Sequence, residues 1–298
     1  MRFYEIEFPL ATLSCDAVEA ALLEVGASSI TFVDRGDEPV LEPKPGEMRL
    51  WSDTLVRALF QESSDAASNL GRLASALGAH VTQSARVRAV ADQVWERAWL
   101  KDWKPMRFGR RLWVCAREAE APEDSQAIVL RLDPGLAFGT GTHPTTALCL
   151  QILDSLPVAG RTVIDYGCGS GILGLAALKL GAAHVTAVDL DHQALLATRD
   201  NAIRNGISAQ VTVQGIEAEL HASFCVMANI LAGPLIELAP KLTLGCEPGG
   251  HLLLSGLLKT QAYAVKAAYA WGFDMVRVVE RDEWCCIYAR RAFKETGS

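Results

Sequence analysis

Val163-Ile-Asp-Tyr-Gly-Cys-Gly-Ser-Gly-Ile-Leu-Gly174 decides the fold of this 298-residue chain. The apolar run Thr162-Val163-Ile164 has strand character and ends in Asp165. Gly167, Gly169 and Gly171 then fall at every second position, and Ile172 to Leu180 reads as a buried helix rich in Ala and Leu. A strand, a glycine-rich turn and a helix start together make a site for a nucleoside cofactor. Glycines let the backbone approach the ligand, and a helix N-terminus presents N–H groups with no intrahelical partner.

Two registers fit. Asp165-x-Gly167-x-Gly169-x-Gly171 is the pattern of methyltransferases that use S-adenosylmethionine, whereas Gly169-x-Gly171-x-x-Gly174 satisfies the dinucleotide fingerprint. Both need an acid at the end of the next strand. Asp189, closing Val185-Thr-Ala-Val-Asp189, supplies a carboxylate able to accept both ribose hydroxyls. A structural turn with a capping acid is the bland alternative; strand, glycines, helix, second strand and Asp189 arriving in order weigh against it.

The length suggests about two domains. Half the residues are hydrophobic, ample for packed cores. No apolar run reaches the ~18 residues of a membrane span, and Met1 to Glu7 alternates like a strand, without the apolar core of a secretory signal. The eight cysteines are scattered and lack zinc-ligand spacing, so buried thiols in a reducing cytoplasm and no bound metal are expected. A net charge of -7 argues against broad nucleic-acid binding and suits a basic partner. One local exception runs from Lys101 to Arg117, with six basic residues against Asp102 alone.

Arg2–Phe8, Ser29–Val33, Met48–Trp51 and a stretch within Val81–Val90 read as strands. Helices are expected from the Thr12/Ser14 cap to about Val25, from Thr54 to about Glu62 and from Asp65 to Leu77, with Asp34–Gly46 a loop. This is a small α+β domain of the ferredoxin-like kind, over residues 1–90. It shows no motif with catalytic spacing and reads as a recognition domain. Residues 91–104 read as a linker helix capped by Asp92, with Trp95, Trp99 and Trp103 on one face and Pro105 ending it. Interleaved with Arg97, Lys101 and Lys104, the tryptophans resemble a base-stacking platform; packing against two domains is the plainer reading.

The catalytic candidate spans 105–298. Leu112–Ala116 and Ala127–Leu132 are strands leading into it. Asp133-Pro-Gly-Leu-Ala-Phe-Gly-Thr-Gly-Thr-His-Pro-Thr-Thr146 is an irregular loop, and a helix begins at Thr145 and Thr146. Hydroxyls and N–H groups of such a loop, around Phe138 and Gly139 and through Thr145 and Thr146, can close over a cofactor and bond its carboxylate. His143 is a general base, a group that orders the loop or a cofactor contact. Further on, Gln193–Asn205 is a helix capped by Asp191. Gln210–Val213, Phe224–Ala228 and Gly250–Ser255 are strands, and Leu235–Leu244 and Gln261–Trp271 are helices. Asn229 stands where a parallel strand ends, the face where such folds bind ligands, unless it only caps a helix. Met275–Val279 and Cys285–Ala289 are strands joined by Glu280–Trp284 alone, too short for a parallel crossover. The expected fold is therefore α/β: a doubly wound, mostly parallel seven-stranded sheet ending in an antiparallel hairpin. That ending favours the S-adenosylmethionine register over the dinucleotide one.

The sequence closely resembles the bacterial methyltransferases that modify large-subunit ribosomal protein L11. The resemblance rests on Asp133–Thr146, Val163–Gly174, Ala187-Val-Asp-Leu-Asp191, Asn229-Ile-Leu-Ala-Gly233 and Glu283-Trp-Cys-Cys-Ile287, and it covers essentially the whole chain. It implies methyl transfer from S-adenosylmethionine to lysine ε-amines and the terminal α-amine of that protein, often to trimethylation, with a mobile linker letting one site reach several amines. It implies no direct need for nucleic acid and no membrane. Cofactor contacts carried over by resemblance fall on Thr146, Gly167, Asp189 and Asn229. The glycines Gly169 and Gly171 join them from the turn pattern, and Asn229 is the expected catalytic residue, accepting the amine's N–H bonds. The rivals are a methyltransferase acting on RNA or a small molecule, a nicotinamide-dependent oxidoreductase, and a non-enzymatic ribosome-assembly binder.

Overall fold

The structure, a computed structural model, describes residues 3–36, 51–61, 65–90, 104–117, 119–120, 122–132 and 141–293. The chain divides into two compact units, Met1–Val94 and Trp95–Ser298. The expected linker helix, apart from Lys104, lies outside the described residues, as do Met48–Leu50, Phe138 and Gly139.

In the first unit, β1 (Phe3–Pro9), α1 (Cys15–Glu24), β2 (Ser29–Asp34), β3 (Thr54–Gln61), α2 (Ala66–Leu77), α3 (His80–Ser84) and β4 (Arg86–Val90) follow in order. The sheet runs β2-β3-β1-β4 with every neighbour antiparallel. Tyr4, Ile6 and Phe8 alternate inward along β1 to meet Val18 and Leu22 of α1 and Leu73 of α2. Ser14 and Asp65 cap the two long helices by accepting backbone N–H groups.

Two readings of this unit are corrected. Thr54 to Glu62 was expected to be helical; it is the interior strand β3. Its Ala, Leu, Arg and Gln favour a helix locally, but Val56, Ala58 and Phe60 fill the core between β1 and β2, and that pairing overrides propensity. The strand expected within Val81–Val90 occupies only Arg86–Val90, because His80–Ser84 forms a short helix that buries Val81.

In the second unit a three-stranded sheet comes first: β5 (Met106–Phe108), β6 (Leu112–Ala116) and β7 (Ile128–Leu132). β5 pairs antiparallel with β6, and β6 parallel with β7. β5, only three residues long, was not expected from the sequence. There follow α4 (Pro144–Leu153), β8 (Thr162–Tyr166), α5 (Ile172–Lys179), β9 (His184–Asp189), α6 (His192–Arg204), β10 (Val211–Gly215) and β11 (Ser223–Asn229). Then come α7 (Ala232–Glu237), α8 (Ala239–Leu244), β12 (Cys246–Leu258), α9 (Ala262–Tyr269), β13 (Phe273–Arg281) and β14 (Trp284–Arg291).

The large sheet has seven strands in the order β10-β9-β8-β11-β12-β14-β13. The first five are mutually parallel, and β14 runs antiparallel to both β12 and β13. Residues of α4, α5 and α6 pack on one face, and those of α7, α8 and α9 on the other. The carboxyl ends of β8, β9 and β11 therefore open at one edge, which is where the site forms. The single helix expected over Leu235–Leu244 is two, divided at Leu238, because Pro240 has no N–H to continue the ladder.

Candidate active site

A cavity of about 480 Å³ opens at these strand ends. That lies within the range of ligand sites, roughly 300–1,000 Å³. Thr146, Gly167, Gly169, Asp189 and Asn229 all line it, together with Asp165, Tyr166, Leu190, Ile216 and Glu237. The described lining residues include three carboxylates and no lysine, arginine or histidine, a balance that favours a ligand with positive charge.

The glycine turn is fixed by backbone bonds. Gly167 and Cys168 N–H both donate to the Val188 carbonyl, at 2.7 and 3.0 Å. Gly167 has φ +76, and a Cβ there would collide with Ile230 Cγ2. Gly171, φ +81, is the residue preceding α5, and a Cβ on it would lie 2.9 Å from Thr198 Cγ2. Gly171 thus serves the turn and its packing and is not among the lining residues. Gly174 lets α5 approach the sheet, since its Cβ would lie 2.8 Å from Val185 Cγ1.

Asp189 has its two oxygens occupied from below. Gly169 N–H donates to Oδ2 at 2.9 Å and Asp191 N–H to Oδ1 at 3.0 Å. A carboxylate offers about four lone-pair directions, so acceptance toward the cavity remains open. Asp165 is buried at the end of β8; its Oδ2 accepts Gly174 N–H at 2.8 Å and its Oδ1 has no partner among the described residues. Burial pushes its carboxyl up to about 7, the Gly174 N–H bond opposes that, and the nearby Asp189 charge adds to it.

Asn229 is the last residue of β11. Leu231, not Asn229, precedes α7, which removes the helix-cap alternative. Its Nδ2 donates to Thr146 Oγ1 at 3.2 Å, and its Oδ1 is buried without a partner among the described residues. An acceptor so placed at a cavity wall can take a donor from a bound ligand.

Thr145 is buried and does not line the cavity. His143 caps α4, with Nδ1 2.7 Å from Thr145 Oγ1, and its ring stands edge-on to Trp284 at 4.8 Å. Burial lowers its pKa, which keeps the ring neutral and able to accept. Of its expected roles, the cap on α4 and the Trp284 contact match ordering of the loop end.

Three contributors escaped the sequence reading. Thr198 Oγ1 donates to the Gly169 carbonyl at 3.0 Å and Asn201 Nδ2 to the Ser170 carbonyl at 2.9 Å, so α6 holds the turn from behind. The available signal was a polar pair, three residues apart, on the apolar face of a helix. The third, Ser255, carries no such signal. Among the described residues no group of three or more His, Cys, Asp or Glu is placed to hold a metal ion.

A strand, glycine turn and helix, an acid closing the adjacent strand and a cavity across the strand ends define an α/β protein that binds a nucleoside cofactor. The sequence profile described as ribosomal protein L11 methyltransferase (PrmA) matches residues 2–292. A ribosomal protein L11 methyltransferase of Serratia proteamaculans is 52% identical over 298 residues, covering 98% of this chain and 100% of that one. Another, of Sodalis glossinidius, is 50% identical over 296 residues, with 98% and 100% covered. The crystal structure of a ribosomal protein L11 methylase from Lactobacillus delbrueckii subsp. bulgaricus superposes with a TM-score of 0.57 at 31% identity, covering 64% of this chain and 100% of that one. The chain belongs to the ribosomal protein L11 methyltransferase family.

Proposed function

We propose that the protein transfers methyl groups from S-adenosylmethionine to lysine ε-amines and the terminal α-amine of ribosomal protein L11, in the cytoplasm. The observation that carries this reading is that Asp189 and Asn229, closing two different strands, line one cavity. When bound, S-adenosylmethionine supplies an electrophilic methyl on a sulfonium.

The residues present fit that group. Asp189 accepts the ribose hydroxyls, and Gly167 and Gly169 bring the backbone against the nucleoside. Thr146 faces its amino-acid end; the contacts expected from Phe138 and Gly139 lie outside the described residues. The carboxylates of the lining offset its net positive charge. Thr145 and Gly171 contribute through the helix and turn they build. Asn229 Oδ1 accepts an N–H bond from the incoming amine and aims its lone pair. A lysine amine has a pKa near 10.4, so only about one in ~2,500 is neutral at pH 7. Taking it out of water beside a cation disfavours the ammonium form and raises that fraction. The rest of the rate comes from in-line placement.

We read the large sheet as the doubly wound methyltransferase arrangement and the first unit as a ferredoxin-like recognition domain over 1–90. Residues 91–104 are a linker that lets one site reach several amines, and 105–298 is the catalytic domain. The βαββαβ order and the β14–β13 hairpin support this reading. All eight cysteines are free, as suits a reducing compartment. On this reading the reaction requires no nucleic acid directly and no membrane. Among the described residues no helix is long and apolar enough to cross a bilayer.

The test is mass spectrometry of L11, free and on the large subunit, after incubation with the protein and methyl donor. Methyl increments on lysines and the amino terminus are expected; an unmodified L11 would overturn the assignment.

A further inference from the structure

β12 is interrupted beside the site. Opposite Cys286 of β14 it has two residues, Ser255 and Gly256, where the register shifts between Leu254 and Leu257. Gly256 has φ +84, and a Cβ on it would collide with the Ile230 carbonyl. Bulges next to active sites re-aim side chains. Here the re-aimed group is Ser255, fully buried. It is the parallel partner of Asn229, and its own carbonyl accepts Ile230 N–H at 3.1 Å. Its hydroxyl lies 3.3 Å from the Thr145 carbonyl and 3.0 Å from the Cys285 carbonyl.

The first of these contacts falls on the peptide unit that joins Thr145 to Thr146, the residue whose hydroxyl receives Asn229 Nδ2. With one proton between two carbonyl acceptors, the buried hydroxyl is a shared donor that bridges the first turn of α4 and β14, directly beside the strand end that carries Asn229. Burying a hydroxyl costs free energy unless it is bonded, and an apolar residue would serve a plain core better.

We propose that Ser255 is a positioning residue for methyl transfer, holding Thr146 against Asn229 so that the Asn229 carbonyl oxygen stays presented to the amine. This rests on the methyl-transfer reading above. Ser255 touches neither cofactor nor substrate; it acts through the α4 turn. Removing its hydroxyl lets Thr146 and the Asn229 carboxamide drift, and small misplacements at a reacting centre are expensive in rate.

The test has two arms. In the full-length protein without ligand, the side-chain amide resonances of Asn229 are identified by their loss in Asn229→Ala. They shift in Ser255→Ala if the brace is real, and unmoved resonances overturn the proposal without any assay of activity. In methyl transfer to L11, Ser255→Ala lowers kcat roughly tenfold or more with donor affinity within about twofold of wild type. In the Asn229→Ala background the same change adds little, because both act through one group; full additivity overturns the proposal. Should Ser255→Ala fail to fold, Ser255→Cys keeps the volume with a weak donor, and it must itself be slowed or the proposal falls. No transfer by wild-type protein would sink the functional reading and leave the resonance arm to judge Ser255 alone.

Discussion

Asn229 and Thr146 meet amide to hydroxyl at 3.2 Å, one ending β11 and the other in the first turn of α4. That contact uses the nitrogen of Asn229 and leaves its oxygen buried and, among the described residues, unpaired. The side chain is held by one end and offered by the other.

Asn229→Ala removes the offered acceptor. Loss of a single polar group aimed at a reacting centre costs roughly a hundredfold in turnover. Donor affinity, measured by calorimetry, changes only a few-fold, since the glycine turn and Asp189 remain. Turnover equal to wild type would take Asn229 out of the mechanism.

Asp189→Ala acts on the other side of the cavity. It removes a charged acceptor and leaves the Gly169 and Asp191 N–H groups without the partner they had. Charged hydrogen bonds contribute about 2 kcal/mol, so the donor's Kd rises roughly thirtyfold or more. Asp189→Asn, which keeps one oxygen, lies between. Calorimetric titration with S-adenosylhomocysteine reads this directly.

Gly167→Ala combines a left-handed backbone with a collision against Ile230 Cγ2. Each penalty is of order 1–3 kcal/mol, so a loss of about 3 kcal/mol is expected in urea unfolding. Adding Ile230→Ala relieves the collision and leaves the φ strain. The double variant should therefore lose less than the two single losses summed, with a coupling of about 1 kcal/mol. Simple additivity would contradict the contact.

Asp165 makes stability depend on pH. Its carboxyl titrates at about 7 in the folded protein against an ordinary 3.8. The folded value is the higher one, so the native state holds a proton that the unfolded chain has released. The stability this contributes is complete below about pH 4 and is lost as pH rises through about 7. Asp165→Asn, which keeps an acceptor for Gly174 N–H, removes that slope, and urea midpoints at about pH 5 and about pH 8 compare the two proteins. A bound cation favours the charged carboxylate, so donor affinity should also rise with pH through the same region. A wild-type protein as pH-independent as the variant would refute both statements.

Much of the site was legible because its chemistry is local. Asp165, the three alternating glycines and the helix after them lie in one short stretch, and Asp189 closes the next strand, so spacing alone pointed to them. Asn229 was found by its place at a strand end. Ser255 was not, because nothing in Leu-Leu-Leu-Ser-Gly-Leu-Leu says which way a bulge turns a side chain. Thr198 and Asn201 looked like ordinary helix residues until the turn they hold was in view. The misread strand β3 has the same origin: Ala, Leu and Arg prefer a helix alone, and only the partners on either side make them a strand.

The bonds from Gly169 and Asp191 to Asp189 have a consequence for regulation. They hold the Asp189 carboxylate in place without a ligand, and under the proposed function that carboxylate would grip the adenosine portion alike whether or not the sulfur still bears its methyl. The spent donor is then a strong competitor of the fresh one. The pace of L11 modification in a growing cell follows the ratio of the two more closely than the supply of either.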